Sequence, residues 1–154
     1  MYRKILVAYN GTPESRSALQ ECIRLGPDPS TEIHLLAVVN PPPSVVIGEY
    51  AMVAMVGIEE EIQAEKKKME HDLIDGGSLL REAGLKVQTH IEVGEPVPTI
   101  AKLVDQLGIE LVIVGHSRHQ SLAMRWWRGA TDALLVEKIR CSLLVATDPK
   151  QEEK

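Results

Sequence analysis

Three turns in this chain follow directly on apolar runs, and their residues suit the binding of a small ligand. The turns lie at residues 10–12, 39–41 and 115–117. The runs before them are short and rich in Val, Ile and Leu, which predicts strands buried on both faces of a sheet. Ligands of parallel α/β sheets bind beyond the carboxyl ends of the strands, where the strand order reverses. The sequence therefore predicts a ligand site formed by these three turns.

The third turn opens a stretch whose side chains could hold an anion. His116, Arg118 and His119 stand close together, with Ser117 between them. A guanidinium group presents a planar fork of donors that fits phosphate oxygens. The two histidines could instead bind a metal, but no carboxylate or thiol accompanies them at a spacing typical of metal sites. We therefore expect an anionic ligand and no metal.

Composition narrows the classes of function. The chain has 154 residues, enough for one domain, and a formal net charge of −5. Because no basic surplus exists to neutralise a phosphate backbone, a nucleic-acid partner is not expected. Cys22 and Cys141 lie far apart in the sequence and are expected to be reduced, buried thiols. The first residues lead into a strand without the apolar segment of a signal peptide, so we expect a cytoplasmic protein without stable membrane association.

Strand and helix patterns alternate along the chain. Strands are predicted at residues 5–9, 33–39, 87–93, 111–114 and 142–146, with helices beginning at or near Pro13, Ile58, Pro96 and Gly129. This alternation predicts an α/β fold, a parallel sheet with helices on both faces. Residues 1–147 are expected to form a single domain, followed by a polar tail at residues 148–154.

Finer patterns place individual residues on these elements. The third strand alternates apolar and polar residues, which predicts a position at the sheet edge. Glu59, Glu60 and Glu61 are expected in the first turn of the second helix, where negative charge complements the helix dipole. The last helix is expected to bury a face made of Ala133, Leu134, Val136 and Ile139.

Two apolar stretches each leave two interpretations open. The connection from Val45 to Val56 could be a lid or a surface facing a protein partner, or it could hide a short helix that completes the core. Trp126 and Trp127 are the only tryptophans of the chain. They could form a contact with a protein partner, or they could cover the open end of the core.

Four segments carry a family resemblance in their order and spacing. They are the strand and turn from Lys4 to Thr12 with Ser15 after it, the Gly94-Glu95-Pro96 turn, the run from Asp105 to Gly115, and the run from Gly129 to Val145. No single segment is specific, but the four together resemble the universal stress protein family over nearly the full chain.

The resemblance implies a Rossmann-like, five-stranded parallel sheet in the order 3-2-1-4-5, of the adenine nucleotide alpha hydrolase-like type. It also implies a homodimer made through the last strand, around Leu143 and Val145. In part of the family it implies an adenine nucleotide (ATP, ADP or AMP), and a polyphosphate would bring Mg²⁺ with it. Val39 would meet the adenine through its backbone, and Asn10, which replaces the family's Asp, would face ribose or phosphate. The expected nucleotide-binding residues are Ala8, Tyr9, Asn10, Gly11, Thr12, Val38, Val39, Gly115, His116, Arg118, His119, Gly129, Ala130 and Thr131.

The phosphate loop departs from the family's pattern, which is Gly-x-x-Gly, nine residues, then Gly-Ser or Gly-Thr. Gly115 matches the first glycine and Gly129 the third, but Arg118 stands at the second. Ala130 replaces the hydroxyl residue, and Thr131 follows one position later. In the full pattern, backbone N–H groups and a helix N-terminus hold the phosphate. Either Arg118 and its neighbours form a side-chain anion site instead, or the loop has lost nucleotide binding.

Three classes of function follow from these observations. The favoured one is a dimeric stress or signalling protein that responds to an adenine nucleotide. Any ATP hydrolysis would be slow, because no general base is paired with a nucleophile or metal site. An adenylating or pyrophosphatase enzyme would need a signature that residues 10–13 lack. The third class is a dimeric protein-interaction module that binds no nucleotide.

Overall fold

The computed structural model describes residues 1–41, 51–116 and 135–147. Its strands are β1 (Lys4–Ala8), β2 (Glu32–Val39), β3 (Lys86–Val93), β4 (Leu111–His116) and β5 (Ser142–Thr147). Its helices are α1 (Pro13–Leu25), α2 (Ala51–Glu82) and α3 (Pro96–Leu107). Residues 135–138, between β4 and β5, are also helical. The elements therefore alternate as the sequence predicts.

The five strands form one parallel sheet in the order β3-β2-β1-β4-β5. β1 is the central strand, and Val7 pairs with Leu35 on one side and with Ile113 on the other. This order confirms the predicted fold class and the predicted edge position of the third strand. The chain first moves outward from β1 to β3 and later crosses to β4, so the strand order reverses at β1 and β4.

An aliphatic core holds the sheet between its helices, as a chain without Phe requires. The three central strands are buried almost throughout, because their runs of Val, Ile and Leu contact neighbours on both faces. Cys22 belongs to this core, and burial raises the pKa of its thiol to about 12. Cys141 is only partly buried, so the expectation of two buried thiols is correct for Cys22 alone.

Helix α2 begins earlier than the sequence pattern indicates. It starts at Ala51 rather than near Ile58, and no acidic residue lies in its first turn. Residues 51–56 contain Ala and Met, which favour helix, and no proline interrupts them. Residues 51–56 are therefore helical, as one of the two interpretations expected, but as the start of the long α2 and not as a short separate helix. Residues 42–50 lie outside the described part. No helix within the described residues is long and apolar enough to cross a membrane.

The expected buried face of the last helical segment is correct for Ile139 and wrong for Val136, while Ala133 and Leu134 lie outside the described residues. Leu135 and Ile139 are buried, whereas the side chain of Val136 is 64% exposed. Residues four positions apart share one face of a helix, so burial of Leu135 and Ile139 turns Val136 outward. The predicted start of this helix at Gly129 lies outside the described residues, as do Trp126 and Trp127.

Two histidines face each other on neighbouring strands. The Nδ1 atom of His34, in β2, lies 2.9 Å from Nε2 of His90, in β3, and the two rings stack with centroids 5.1 Å apart. Burial lowers the pKa of both imidazoles, and the neighbouring His90 lowers the pKa of His34 further. Glu32 and Glu92 act in the opposite direction, on His34 and His90 respectively. The pair is therefore held neutral at pH 7.

Acid should destabilise the protein through this pair. Because both pKa values are lowered in the folded state, the unfolded chain takes up protons first as the pH falls below the ordinary histidine value of about 6.5. We expect the free energy of unfolding, measured by urea denaturation, to fall between pH 7 and pH 5. The fall should be smaller in His90→Gln and unchanged in His71→Gln, whose side chain is 78% exposed on α2. Equal falls in all three proteins would contradict this role of the pair.

Candidate functional site

The turn after β1 is held by a network of short hydrogen bonds. Asn10 Oδ1 accepts from the backbone N–H of Thr12 at 3.1 Å and from its hydroxyl at 2.6 Å. The backbone N–H of Asn10 donates to Ser15 Oγ at 3.2 Å. A backbone N–H can only donate a hydrogen bond, so the amide atom of Asn10 that faces the N–H of Thr12 must be the oxygen. The NH₂ group of Asn10, a pure donor, is left outside this network.

Thr12 ends the turn and begins helix α1. It is the N-cap residue, and its hydroxyl accepts from the backbone N–H of Ser15 at 3.3 Å. Pro13 follows in the first helical turn, where its missing N–H costs nothing. A cap of this kind stabilises a protein by about 1 kcal/mol. From the sequence, either Thr12 or Asn10 could cap this helix, and the structure has Thr12 in that position, with the completely buried Ser15 as its partner.

Gly11 is required by both its backbone conformation and its neighbours. Its φ angle is +80°, in the left-handed region that residues with a Cβ rarely adopt. A Cβ at this position would also stand 2.5 Å from Oδ2 of Asp72, a residue of α2. The turn therefore touches a helix that is distant in sequence.

Gly115 brings the end of β4 against the same turn. A Cβ there would overlap the backbone carbonyl of Glu14, in the first turn of α1. Only glycine lets the two backbones come this close. The turns after β1 and β4 are consequently neighbours at the point where the strand order reverses, which is where ligands of such sheets bind.

The end of β2 completes this edge of the sheet. Val38 and Val39 are buried, and the Val39 carbonyl accepts from the N–H of Gly94 at 2.9 Å. Ala8 and Tyr9 are buried as well, and the Tyr9 N–H donates to the Leu36 carbonyl at 2.8 Å. These four side chains belong to the core. They can contribute to a site only through their backbones.

The structure thus brings together part of the predicted nucleotide site. The residues that lie at the carboxyl ends of β1, β2 and β4 are Ala8, Tyr9, Asn10, Gly11, Thr12, Val38, Val39, Gly115 and His116. The remaining predicted residues, Arg118, His119, Gly129, Ala130 and Thr131, lie outside the described part of the chain. Within the described residues, no group of three or more His, Cys, Asp or Glu side chains could hold a metal ion.

Asp72 is the residue that the sequence did not indicate. It stands among charged residues in the middle of a long helix, a pattern typical of a solvated face. Its contact with Gly11 depends on how α2 packs against the sheet. No local sequence signal reports such a contact.

Comparison with protein families and curated proteins gives one consistent result. A model of the universal stress protein family matches residues 1–147. The universal stress protein MJ0531 of Methanocaldococcus jannaschii is 23% identical over 155 residues, covering 99% of this chain and 86% of that protein. The universal stress protein YxiE of Bacillus subtilis is 25% identical over 150 residues, covering 94% of this chain and 99% of that protein.

Solved structures of low sequence identity share the fold. The hypothetical protein MJ0577 superposes with a TM-score of 0.76 at 19% identity, with 96% of this chain and 97% of that chain covered. A universal stress protein from Arabidopsis thaliana, solved with AMP bound, gives 0.67 at 20% identity, with 98% and 95% covered. A universal stress protein in complex with cAMP gives 0.64 at 18% identity, with 94% and 97% covered.

Proposed function

The chain belongs to the universal stress protein family, and from that premise we propose that it binds an adenine nucleotide at the carboxyl ends of β1, β2 and β4. Two proteins of this fold contain AMP and cAMP in their solved structures, which supports an adenine nucleotide as the ligand. The protein would then act as a nucleotide-responsive stress protein rather than as an efficient enzyme.

The observation that carries this proposal is the close approach of two turns at one end of the sheet. Gly115 packs on the first turn of α1, and Gly11 adopts a left-handed conformation beside it. Because these glycines let the turns pack closely, the N-terminus of α1 lies at the same place as the ends of β1 and β4, and a helix N-terminus favours a negatively charged ligand. The NH₂ group of Asn10 would donate to an oxygen of the ribose or phosphate.

The other parts of the nucleotide would meet the neighbouring strand ends. The backbone around Val39 would contact the adenine. The stretch after Gly115 and the segment around Gly129 would hold the phosphate, with Arg118 supplying guanidinium donors in place of the family's second glycine. A polyphosphate would bring Mg²⁺ as its counter-ion. The number of phosphates preferred then reports how well Arg118 replaces the glycine.

Calorimetric titration with ATP, ADP, AMP, cAMP and adenosine tests this proposal. We expect saturable binding. We expect Gly129→Val to lose roughly tenfold or more of the affinity for the phosphorylated ligands, because the valine side chain would keep the phosphate away from the backbone N–H groups and so weaken charge-assisted hydrogen bonds. Binding of adenosine should change little. The matched control is Gly57→Val in α2, where a Cβ meets nothing within 4 Å.

The absence of saturable heat with any of these ligands up to millimolar concentration would contradict the proposal. It would favour the alternative, a dimeric module that contacts a protein partner through Val45 to Val56 or through Trp126 and Trp127. Unchanged affinity for AMP and ATP in Gly129→Val would instead contradict only the placement of the phosphate.

We further propose that the protein is a homodimer that joins through β5. Among the described strands, β5 lies at one edge of the sheet and pairs with β4 alone, so one side of its backbone has no partner strand among them. Val145 is 38% exposed, and Leu143 is partly buried. An edge strand with exposed apolar residues is a surface on which a second copy can pair.

Val145→Lys should convert the dimer into a monomer, because a lysine on an edge strand opposes pairing with another chain. Light scattering coupled to size-exclusion chromatography would measure the mass. Val93→Lys is the matched control, since Val93 is 42% exposed on β3 at the opposite edge, and this variant should remain dimeric. A wild-type monomer, or a Val145→Lys protein that stays dimeric, would contradict this interface.

A further inference from the structure

The carboxyl group of Asp72 reaches the proposed nucleotide site from the side of helix α2. A Cβ built on Gly11 would stand 2.5 Å from Asp72 Oδ2, 2.7 Å from its Cγ and 3.1 Å from its Oδ1. The whole carboxyl group therefore lies against the turn that follows β1. Asp75, three positions along the same helix, has by contrast a side chain that is 65% exposed.

The packing of α2 one helical turn after Asp72 explains why Asp72 is held beside Gly11. Gly76 follows Asp72 by four positions, so the two residues lie on the same face of α2. A Cβ at Gly76 would stand 3.0 Å from Cε2 of Tyr9 and 3.3 Å from Cδ1 of Leu19. Leu73 and Met69 of the same helix are buried in the core. The close approach of α2 to the end of β1 thus fixes the position of Asp72.

One oxygen of this carboxyl group is buried and has no hydrogen-bond partner among the residues that the structure describes. Less than 1 Å² of Asp72 Oδ2 is exposed, and no donor in that part of the chain contacts it. A buried polar atom without a partner destabilises the folded protein, and a charged one does so more strongly. Asp72 presents a hydrogen-bond acceptor, whereas the first turn presents a donor. Asn10 Oδ1 already accepts from Thr12, and the other amide atom of Asn10 can only donate.

We propose that Asp72 is a ligand-binding residue whose carboxylate accepts a hydrogen bond from a ribose hydroxyl of the nucleotide. This inference rests on the proposed function. An adenine nucleotide carries donors only on its ribose hydroxyls and on the adenine amino group. The adenine is assigned to the end of β2, whereas Asp72 lies beside Gly11 after β1, and a phosphate would be repelled by a carboxylate. The ribose is the part of the nucleotide that fits this position.

A double-mutant cycle between protein and ligand tests the proposal. Wild type and Asp72→Ala are titrated calorimetrically with adenosine and with 2′,3′-dideoxyadenosine, which lacks the 2′- and 3′-hydroxyls and keeps the 5′-hydroxyl. The wild type should bind 2′,3′-dideoxyadenosine roughly tenfold to a hundredfold more weakly than adenosine, because a hydrogen bond to a charged group is lost. Asp72→Ala should bind the two ligands with nearly equal affinity. Asp75→Ala, three positions along the same helix, should discriminate between them as the wild type does.

Thermal unfolding of the ligand-free proteins gives a second readout. Asp72→Ala should raise the melting temperature above that of Asp75→Ala, because both variants gain the helix propensity of alanine but only the first removes a buried, unpartnered oxygen. Weaker nucleoside binding combined with higher stability is the signature of a group kept for a ligand. A merely structural residue would lose stability on truncation.

The possible failures point to different conclusions. A wild type that binds neither adenosine nor AMP would overturn the proposed function and the role of Asp72 with it. A wild type that binds adenosine, with Asp72→Ala still rejecting the dideoxy ligand as strongly, would overturn only the role of Asp72. The role of Asp72 would also be overturned if Asp72→Ala bound ATP more tightly but kept the wild-type preference for adenosine over 2′,3′-dideoxyadenosine. The carboxylate would then act on the phosphates alone.

Discussion

Close packing around the end of β1 determines the geometry of the site. Gly115 admits the backbone of α1 on one side, and Gly11 admits the carboxyl group of Asp72 on the other. Gly76 in turn lets α2 approach Tyr9. Side chains at these three positions would push the strand ends and helices apart. The site therefore depends on the absence of side chains where the sheet reverses its order, and its chemical groups are placed by that packing.

The first turn combines rigidity with a defined polarity. Asn10, Thr12 and Ser15 are joined by hydrogen bonds within the turn, and these bonds define its shape at the start of α1. The family's Asp in this turn would leave a second acceptor oxygen facing outward, whereas Asn10 presents a donor. An acceptor is instead supplied from α2 by Asp72. The site can in this way meet both the oxygens and the hydroxyls of one nucleotide.

Much of this arrangement could be predicted from local sequence. The buried strands are continuous apolar runs, and Pro13 and Pro96 mark helix starts that the structure confirms. The early start of α2 could not be predicted, because residues 51–56 carry no capping signal. Asp72 was missed for a different reason. Its place depends on Gly76 packing against Tyr9, a contact between residues far apart in the chain, and a charged residue in a helix gives no sign of burial.

Nuclear magnetic resonance of the ¹⁵N-labelled protein during titration with AMP tests the central claim most directly, because glycines lie at both ends of the sheet. Gly11 and Gly115 lie at the carboxyl ends of β1 and β4, whereas Gly26, Gly84 and Gly108 follow the helices at the opposite end. A nucleotide bound where the strand order reverses should shift the amide signals of the first two and leave the other three unchanged. Shifts confined to Gly26, Gly84 and Gly108, or no shifts at saturating AMP, would contradict a site at this edge.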